Sequence, residues 1–184
     1  MVVIGSPGAG KDTQAGFLAR EYQLKVLSVG AILRDEVRKK TPLGKRVRQD
    51  LESGNLVDDE IVDSILLKAI DGNKRILIDG FPRDLEQARE FKSINFALYL
   101  DCKKNNIVKR LLKRAKIEGR KDDNKQTIAR RWRVFVEETL PVVVYYRKRG
   151  ILREVDGNGS IEEVRKLIAA MLKKDVLFQR LLRE

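Results

Sequence analysis

The sequence predicts an α/β fold: a doubly wound, five-stranded parallel sheet with helices on both faces. Three observations carry this reading. Short apolar runs at residues 2–4, 26–29, 76–78, 97–100 and 151–155 alternate with stretches of helical periodicity. The runs are continuously apolar, as in strands covered on both faces. The first run enters a glycine-rich loop that opens into a helical stretch, the start of a strand–helix–strand unit with a right-handed crossover.

In chain order, residues 1–4 form the first strand and residues 5–10 the glycine loop. The second strand follows at 26–29. Residues 31–71 carry three helical patterns and no strand, interrupted by Thr41-Pro42 and by Ser53-Gly54-Asn55. They are expected to form a small helical insert outside the sheet, ending on the stripe Ile61, Val62, Ile65, Leu66 and Ile70. After the strands at 76–78 and 97–100, Ile107, Val108, Leu111, Leu112 and Ala115 mark a further helix. Residues 116–125 are polar and charged and read as a mobile flap between two long helices. Ile128, Trp132, Phe135, Val136, Thr139 and Leu140 mark the next stripe. Beyond the last strand, Ile161, Val164, Leu167, Ile168 and Leu172 mark the final one. The tail, with Val176, Leu177, Phe178, Leu181 and Leu182, is expected to extend that helix and pack on the body.

The 184 residues suit one domain with a sizeable core. A single cysteine, Cys102, excludes a disulfide framework, and the absence of histidine excludes histidine triads and histidine metal sites. No apolar run reaches membrane-spanning length, and the N-terminus reads as a core strand rather than a signal. A soluble, cytoplasmic monomer is expected, with no membrane partner. The net charge of +12 is concentrated between Lys103 and Arg153, where 17 basic residues face 5 acidic ones. Such a local excess fits a surface built for phosphates.

Two motifs carry chemistry. Gly5, Gly10 and Lys11 have the spacing of a phosphate loop, in which glycines let backbone N–H groups turn inward at a helix N-terminus and the lysine adds a full charge. That pattern asks for Ser or Thr next, to reach Mg²⁺. Here Asp12 stands there and Thr13 follows. The second motif, Asp79-Gly-Phe-Pro-Arg83, follows the third strand, so it lies at the carboxyl edge of the sheet where ligands gather. Asp79 can hold Mg²⁺ or its water, and Arg83 offers a fork for a phosphate.

Taken with Ser28-Val-Gly-Ala-Ile-Leu-Arg34, Glu52-Ser-Gly-Asn-Leu-Val-Asp-Asp-Glu-Ile61, Asp84-Leu-Glu-Gln-Ala88, Gly119-Arg-Lys-Asp-Asp-Asn124, Thr139-Leu-Pro-Val142 and Val155-Asp-Gly-Asn-Gly-Ser160, these blocks make the chain resemble the nucleoside monophosphate kinases, and among them the short-lid adenylate kinases. The resemblance covers nearly the whole chain. It implies a P-loop kinase core at 1–29, 72–115 and 126–184, a monophosphate-binding insert at 30–71 and a short lid at 116–125. The reaction it implies is ATP + AMP ⇌ 2 ADP, with Mg²⁺.

By the same resemblance, Gly5, Pro7, Gly8, Ala9, Gly10, Lys11, Asp12, Thr13, Arg110, Arg114 and Gly159 would contact ATP. Ser28, Arg34, Leu56, Val57, Gly80, Arg83, Gln87, Arg120 and Arg131 would contact AMP. Lys11, Arg83, Arg114, Arg120 and Arg131 would be catalytic, and Asp122 and Asp123 would hold lid arginines in place. Thr13 and, through water, Asp79 would hold the metal, with Asp12 as a further candidate ligand. Gln87 matches the family glutamine that meets adenine, whereas UMP/CMP kinases carry an Asp-Asn pair after the Gly-Phe-Pro-Arg block.

Three positions depart from the family. Asp12 replaces glycine, Ala31 replaces a magnesium-water ligand, and Asp58 replaces a proline, which is expected to loosen the start of the next helix. Two alternatives stay open: a UMP/CMP kinase, and a non-catalytic nucleotide- or nucleic-acid-binding module. No obligatory nucleic acid is expected.

Overall fold

The structure is a computed structural model that describes residues 1–70, 75–120 and 122–183. The expected insert boundary at residues 71–72, Lys121 of the flap and the final residue lie outside these. Strands β1 (Val2–Gly5), β2 (Lys25–Ser28), β3 (Ile76–Asp79), β4 (Ala97–Asp101) and β5 (Leu152–Asp156) form one parallel sheet in the order β2-β3-β1-β4-β5. Val2 lies opposite Ile78 on one side and Ala97 on the other. Val29 and Ile151, expected in strands, fall just outside them, and Val29 starts a helix instead.

The helices are α1 (Lys11–Tyr22), α2 (Val29–Arg38), α3 (Pro42–Ser53), α4 (Asp59–Ile70), α5 (Leu85–Glu90), α6 (Lys104–Glu118), α7 (Lys125–Val134), α8 (Leu140–Lys148), α9 (Ile161–Lys174) and α10 (Val176–Leu181). A π-helical segment, Phe135–Thr139, joins α7 to α8. Strand side chains alternate between two apolar layers. Val2, Ile4, Ile78 and Tyr99 pack with residues of α2–α4 and α8. Val3, Leu77, Leu98 and Leu100 pack with α1, α6, α9 and α10. Both layers are apolar, so the strands show no alternation in sequence. No helix among the described residues is long and apolar enough to cross a membrane.

Helices α2, α3 and α4 contribute no strand, and their buried residues Leu33, Val47, Ile61 and Leu66 join the first apolar layer. The Thr41 side chain accepts the Gly44 N–H at 3.0 Å and Pro42 opens α3; Gly54, at φ +79°, ends it. Asp58 caps rather than loosens α4: its carboxylate accepts the Glu60 N–H at 3.0 Å.

At Gly44, α3 comes against α2 so closely that a Cβ would lie 2.1 Å from the Glu36 carbonyl oxygen. Backbone cannot yield as a flexible side chain does. Gly44→Ala is therefore expected to destabilise the protein by about 3 kcal/mol by forcing the two helices apart. Chemical denaturation checks this, and an unchanged midpoint would remove the close approach from the argument.

Two helical stripes differ from expectation. In the π-helical segment the Leu140 N–H reaches back five residues to Phe135. Pro141 has no N–H to offer and its ring would crowd the carbonyl four residues before it, so a wide turn relieves both problems. The register shift leaves Val136 40 % exposed. In α9 the buried row is Val164, Ile168 and Leu172, while Ile161 and Leu167 face outward. The tail packs on the body as a separate helix. Asp175 is extended, ends α9 and caps α10 through the Phe178 N–H at 2.8 Å. Phe178 then seats fully buried against Tyr22 and Phe96.

Candidate active site

A cavity of about 680 Å³ opens at the carboxyl edge of the sheet, between the loop after β1, the turn after β3, the α2–α4 arm, the α6–α7 flap and the loop after β5. The topology puts it there. β1 lies centrally, and the chain leaves it toward β2 on one side while β4 and β5 lie on the other, which opens a crevice at the switch point.

The loop after β1 lines the cavity with Gly5, Pro7, Gly8, Ala9 and Gly10, followed by Lys11, Asp12 and Thr13 on the first turn of α1. Gly8, at φ +82°, sits where a Cβ would strike Leu111 of α6 at 2.8 Å. Gly10 is left-handed at φ +92°, and no side chain caps α1. The first N–H groups of α1 therefore point at the cavity, the arrangement that suits an anion. Lys11 Nζ donates to the Ser6 carbonyl at 3.2 Å, curled over the loop. Burial pushes its pKa down, against the attraction of Asp79 and Asp12.

Asp79, at the end of β3, is 2 % exposed. One carboxylate oxygen accepts the Ser28 hydroxyl at 3.1 Å; the other, Oδ1, is buried without a hydrogen-bond partner among the described residues. Asp12 lies beside it. Burial and then the neighbouring Asp12 carboxyl push the Asp79 carboxyl up, and the same pairing holds Asp12 down. Asp12 and Asp79 are 67 positions apart in sequence and meet because β3 is registered next to β1. Ser28, expected to contact the monophosphate, is not among the residues that line the cavity; its hydroxyl donates to Asp79 behind the wall.

Beyond β3, the Phe81–Pro82 peptide is cis and Gly80, at φ +82°, lets the chain turn so that Arg83 faces the cavity. The Arg83 peptide is held from both sides. Its N–H donates to Gln87 Oε1 at 2.8 Å, and its carbonyl accepts the Thr139 hydroxyl at 2.6 Å. Its Nε donates to the Gly80 carbonyl at 2.9 Å, leaving the rest of the fork toward the cavity. Thr139 belongs to the π-helical segment, and helical periodicity alone assigns it only a core role. Arg34, Leu56 and Val57 line the arm side of the cavity, and Gln87 lines it beyond Arg83.

The flap closes the cavity with three arginines and two carboxylates. Arg114 on α6 binds Asp123 through two bonds of 2.6 and 2.9 Å. Arg120 binds Asp122 through two of 3.1 and 2.7 Å. Arg131 on α7 reaches Asp122 at 2.6 Å and Asp123 at 3.1 Å. Burial alone would raise the Asp122 carboxyl, but the bonds from Arg120 and Arg131 outweigh it and hold the pKa below the carboxylate range. Arg131 also donates to the Leu51 carbonyl of the arm at 3.3 Å, so it ties the flap to the arm.

On the far side, Arg110 of α6 donates to the carbonyls of Gly157, Asn158 and Gly159 at 2.8, 3.1 and 2.7 Å, fixing the loop after β5. Gly157 approaches β4 so closely that a Cβ would lie 2.5 Å from Cys102 Sγ. Ser160 and Glu163 then form a capping box on α9. Cys102 is buried and forms no disulfide.

A wall with inward N–H groups, one lysine and arginines on opposite sides suits two phosphate chains brought end to end. Comparison with known proteins agrees. The family model described as adenylate kinase matches residues 3–151. An adenylate kinase of Thermus thermophilus is 42 % identical over 180 residues, covering 94 % of this chain and 96 % of that protein. Adenylate kinase isoenzyme 1 of Caenorhabditis elegans is 40 % identical over 181 residues, covering 94 % and 86 %. UMP-CMP kinase 1 of Oryza sativa subsp. japonica is 41 % identical over 169 residues, covering 88 % and 69 %.

Proposed function

The chain belongs to the adenylate kinase family and is a nucleoside monophosphate kinase that uses ATP; on that premise we propose that its acceptor is AMP and that its reaction is ATP + AMP ⇌ 2 ADP, with Mg²⁺. One observation carries the reading. A single cavity is lined together by the phosphate loop, by Gln87 and by Arg34, Arg83, Arg114, Arg120 and Arg131.

In this reading residues 30–71 are the monophosphate arm, residues 116–125 the lid, and the remainder the core. Lys11 and the α1 N-terminus bind the donor β- and γ-phosphates. Arg34 and Arg83 grip the acceptor phosphate. Arg114, Arg120 and Arg131 meet the charge that spreads over the oxygens in line between donor and acceptor. The loop fixed by Arg110 meets the donor base through its backbone, including Gly159, while Leu56, Val57 and Gly80 wall the acceptor. No protein nucleophile is needed, which agrees with a chain lacking histidine. Closure of the lid keeps water from competing as acceptor. The free thiol of Cys102 suits a reducing compartment such as the cytoplasm.

The residues also fit a divalent cation. The orphaned Asp79 Oδ1 has an unused acceptor, Asp12 brings a second carboxylate, and Thr13 follows on the same turn. Mg²⁺ is characteristically held by one or two carboxylates together with water and substrate phosphates. When bound it neutralises charge on the phosphate oxygens.

A coupled assay with AMP, UMP, CMP and GMP, with and without Mg²⁺, tests the proposal. AMP is expected to be turned over fastest, and only with Mg²⁺. Faster turnover of UMP or CMP would transfer the chain to the pyrimidine reading that the rice relative's name represents.

A further inference from the structure

The reading of Gln87 as the residue that meets the acceptor base leaves a question of chemistry. A primary amide offers an oxygen acceptor and an N–H donor side by side, and turning it over exchanges them. A freely turning glutamine would accept adenine, with an amino group beside an unprotonated ring nitrogen. It would equally accept hypoxanthine, where an oxygen stands beside a protonated nitrogen. Selectivity for one pattern requires something to stop the amide turning.

Gln87 is 3 % exposed, and both ends of its amide have buried-side partners that are not interchangeable. The Arg83 N–H can only donate, and it meets Oε1 at 2.8 Å. Asp59 Oδ1 accepts from Nε2 at 2.5 Å. A turned amide would set its oxygen against the Asp59 carboxylate and its NH₂ against the Arg83 N–H. The backbone is fixed too: the Gln87 N–H donates to Asp84 Oδ1 at 2.9 Å at the start of α5, and Thr139 holds the Arg83 carbonyl. One hydrogen on Nε2 and one lone pair on Oε1 remain for the cavity that Gln87 lines. Asp59 itself is not among the lining residues and stands at the first position of α4, behind the wall.

We propose that Asp59 is a positioning residue that locks the Gln87 amide in one orientation, so that the acceptor site takes a base bearing an amino group beside an unprotonated ring nitrogen and refuses the lactam pattern. This rests on Gln87 meeting the acceptor base. Asp59 is contributed by the arm and Gln87 by the core, so the lock is assembled where the two elements meet.

The test compares kcat and KM for AMP and IMP, with Mg-ATP as donor, in the wild type and in Asp59→Ala, Asp59→Asn and Gln87→Ala, with thermal melting of each. Asp59→Ala is expected to lower the AMP-over-IMP ratio of kcat/KM by about 10²-fold, mostly through the two KM values. Asp59→Asn, nearly isosteric but with an amide that can turn and pair with Gln87 in either orientation, should lose most of the ratio as well; a merely structural role would leave that variant close to the wild type. Asp59→Ser, too short to reach Gln87, replaces the alanine variant if that one fails to fold. An unchanged ratio in Asp59→Ala or Asp59→Ser, with a ratio that collapses in Gln87→Ala, overturns the lock and leaves the base reading standing. A ratio unchanged in Gln87→Ala overturns both.

Discussion

Arg83→Ala is expected to lower kcat by roughly 10³-fold while leaving the fold intact, the loss typical of an arginine that stabilises charge in phosphoryl transfer. The side chain faces the cavity and makes one internal bond, Nε to the Gly80 carbonyl, so truncation removes little packing. The structure around it is independent of the guanidinium. The Arg83 peptide is fixed through its own N–H and carbonyl by Gln87 and Thr139, and both bonds survive in the alanine variant. A guanidinium remains charged at any working pH. Its charge is therefore available to an anion in the cavity at every pH. Arg83→Lys should recover part of the loss, because it restores the charge but not the two-pronged geometry. Single-turnover rates with thermal melts check this; near-wild-type turnover in Arg83→Ala would sink the assignment.

The sheet was legible because its strands are apolar on both faces, so Val2, Val3 and Ile4 read as one run although they feed opposite layers. The ends of α3 within the arm were legible for a local reason: Thr41-Pro42 and Gly54 are cap chemistry, which acts within one turn. What escaped depends on contacts between distant segments. Asp12 meets Asp79 only because β3 lies beside β1, and Asp59 meets Gln87 only because the arm folds back over α5. The outward faces of Ile161 and Leu167 follow from where α9 sits against α1, which periodicity does not encode. The π-helical segment had a local signal in Pro141, but a proline more often ends or kinks a helix than widens it, so Thr139 read as core rather than as a brace for Arg83.

The contact between arm and flap carries the second large effect. Gly54 ends α3 in the left-handed region at φ +79°, and a Cβ there would lie 2.9 Å from Arg131 Cγ and 3.0 Å from Thr127 Cγ2. The same two residues of α7 satisfy the end of α3: Thr127 donates to the Glu52 carbonyl at 3.3 Å and Arg131 to Leu51 at 3.3 Å. Arg131 is at once bound to Asp122 and Asp123. A side chain at Gly54 must move either the arm, which carries Arg34, or Arg131, which holds Asp122 and Asp123. Either displacement spoils the alignment of donor and acceptor, and a misplacement of about 1 Å costs on the order of 10²-fold in rate. Gly54→Ala is therefore expected to lose about that much kcat/KM for the monophosphate. The backbone strain of alanine in the left-handed region, about 1–2 kcal/mol, would confuse this result if taken alone. Gly150 supplies the control: it has φ +72° with no atom within 4 Å of its would-be Cβ, so Gly150→Ala carries the strain without the collision. Equal losses of stability in the two variants, with activity lost only in Gly54→Ala, identify the arm–flap contact as the cause. Equal activity in both would show that closure does not pass through Gly54 and Arg131.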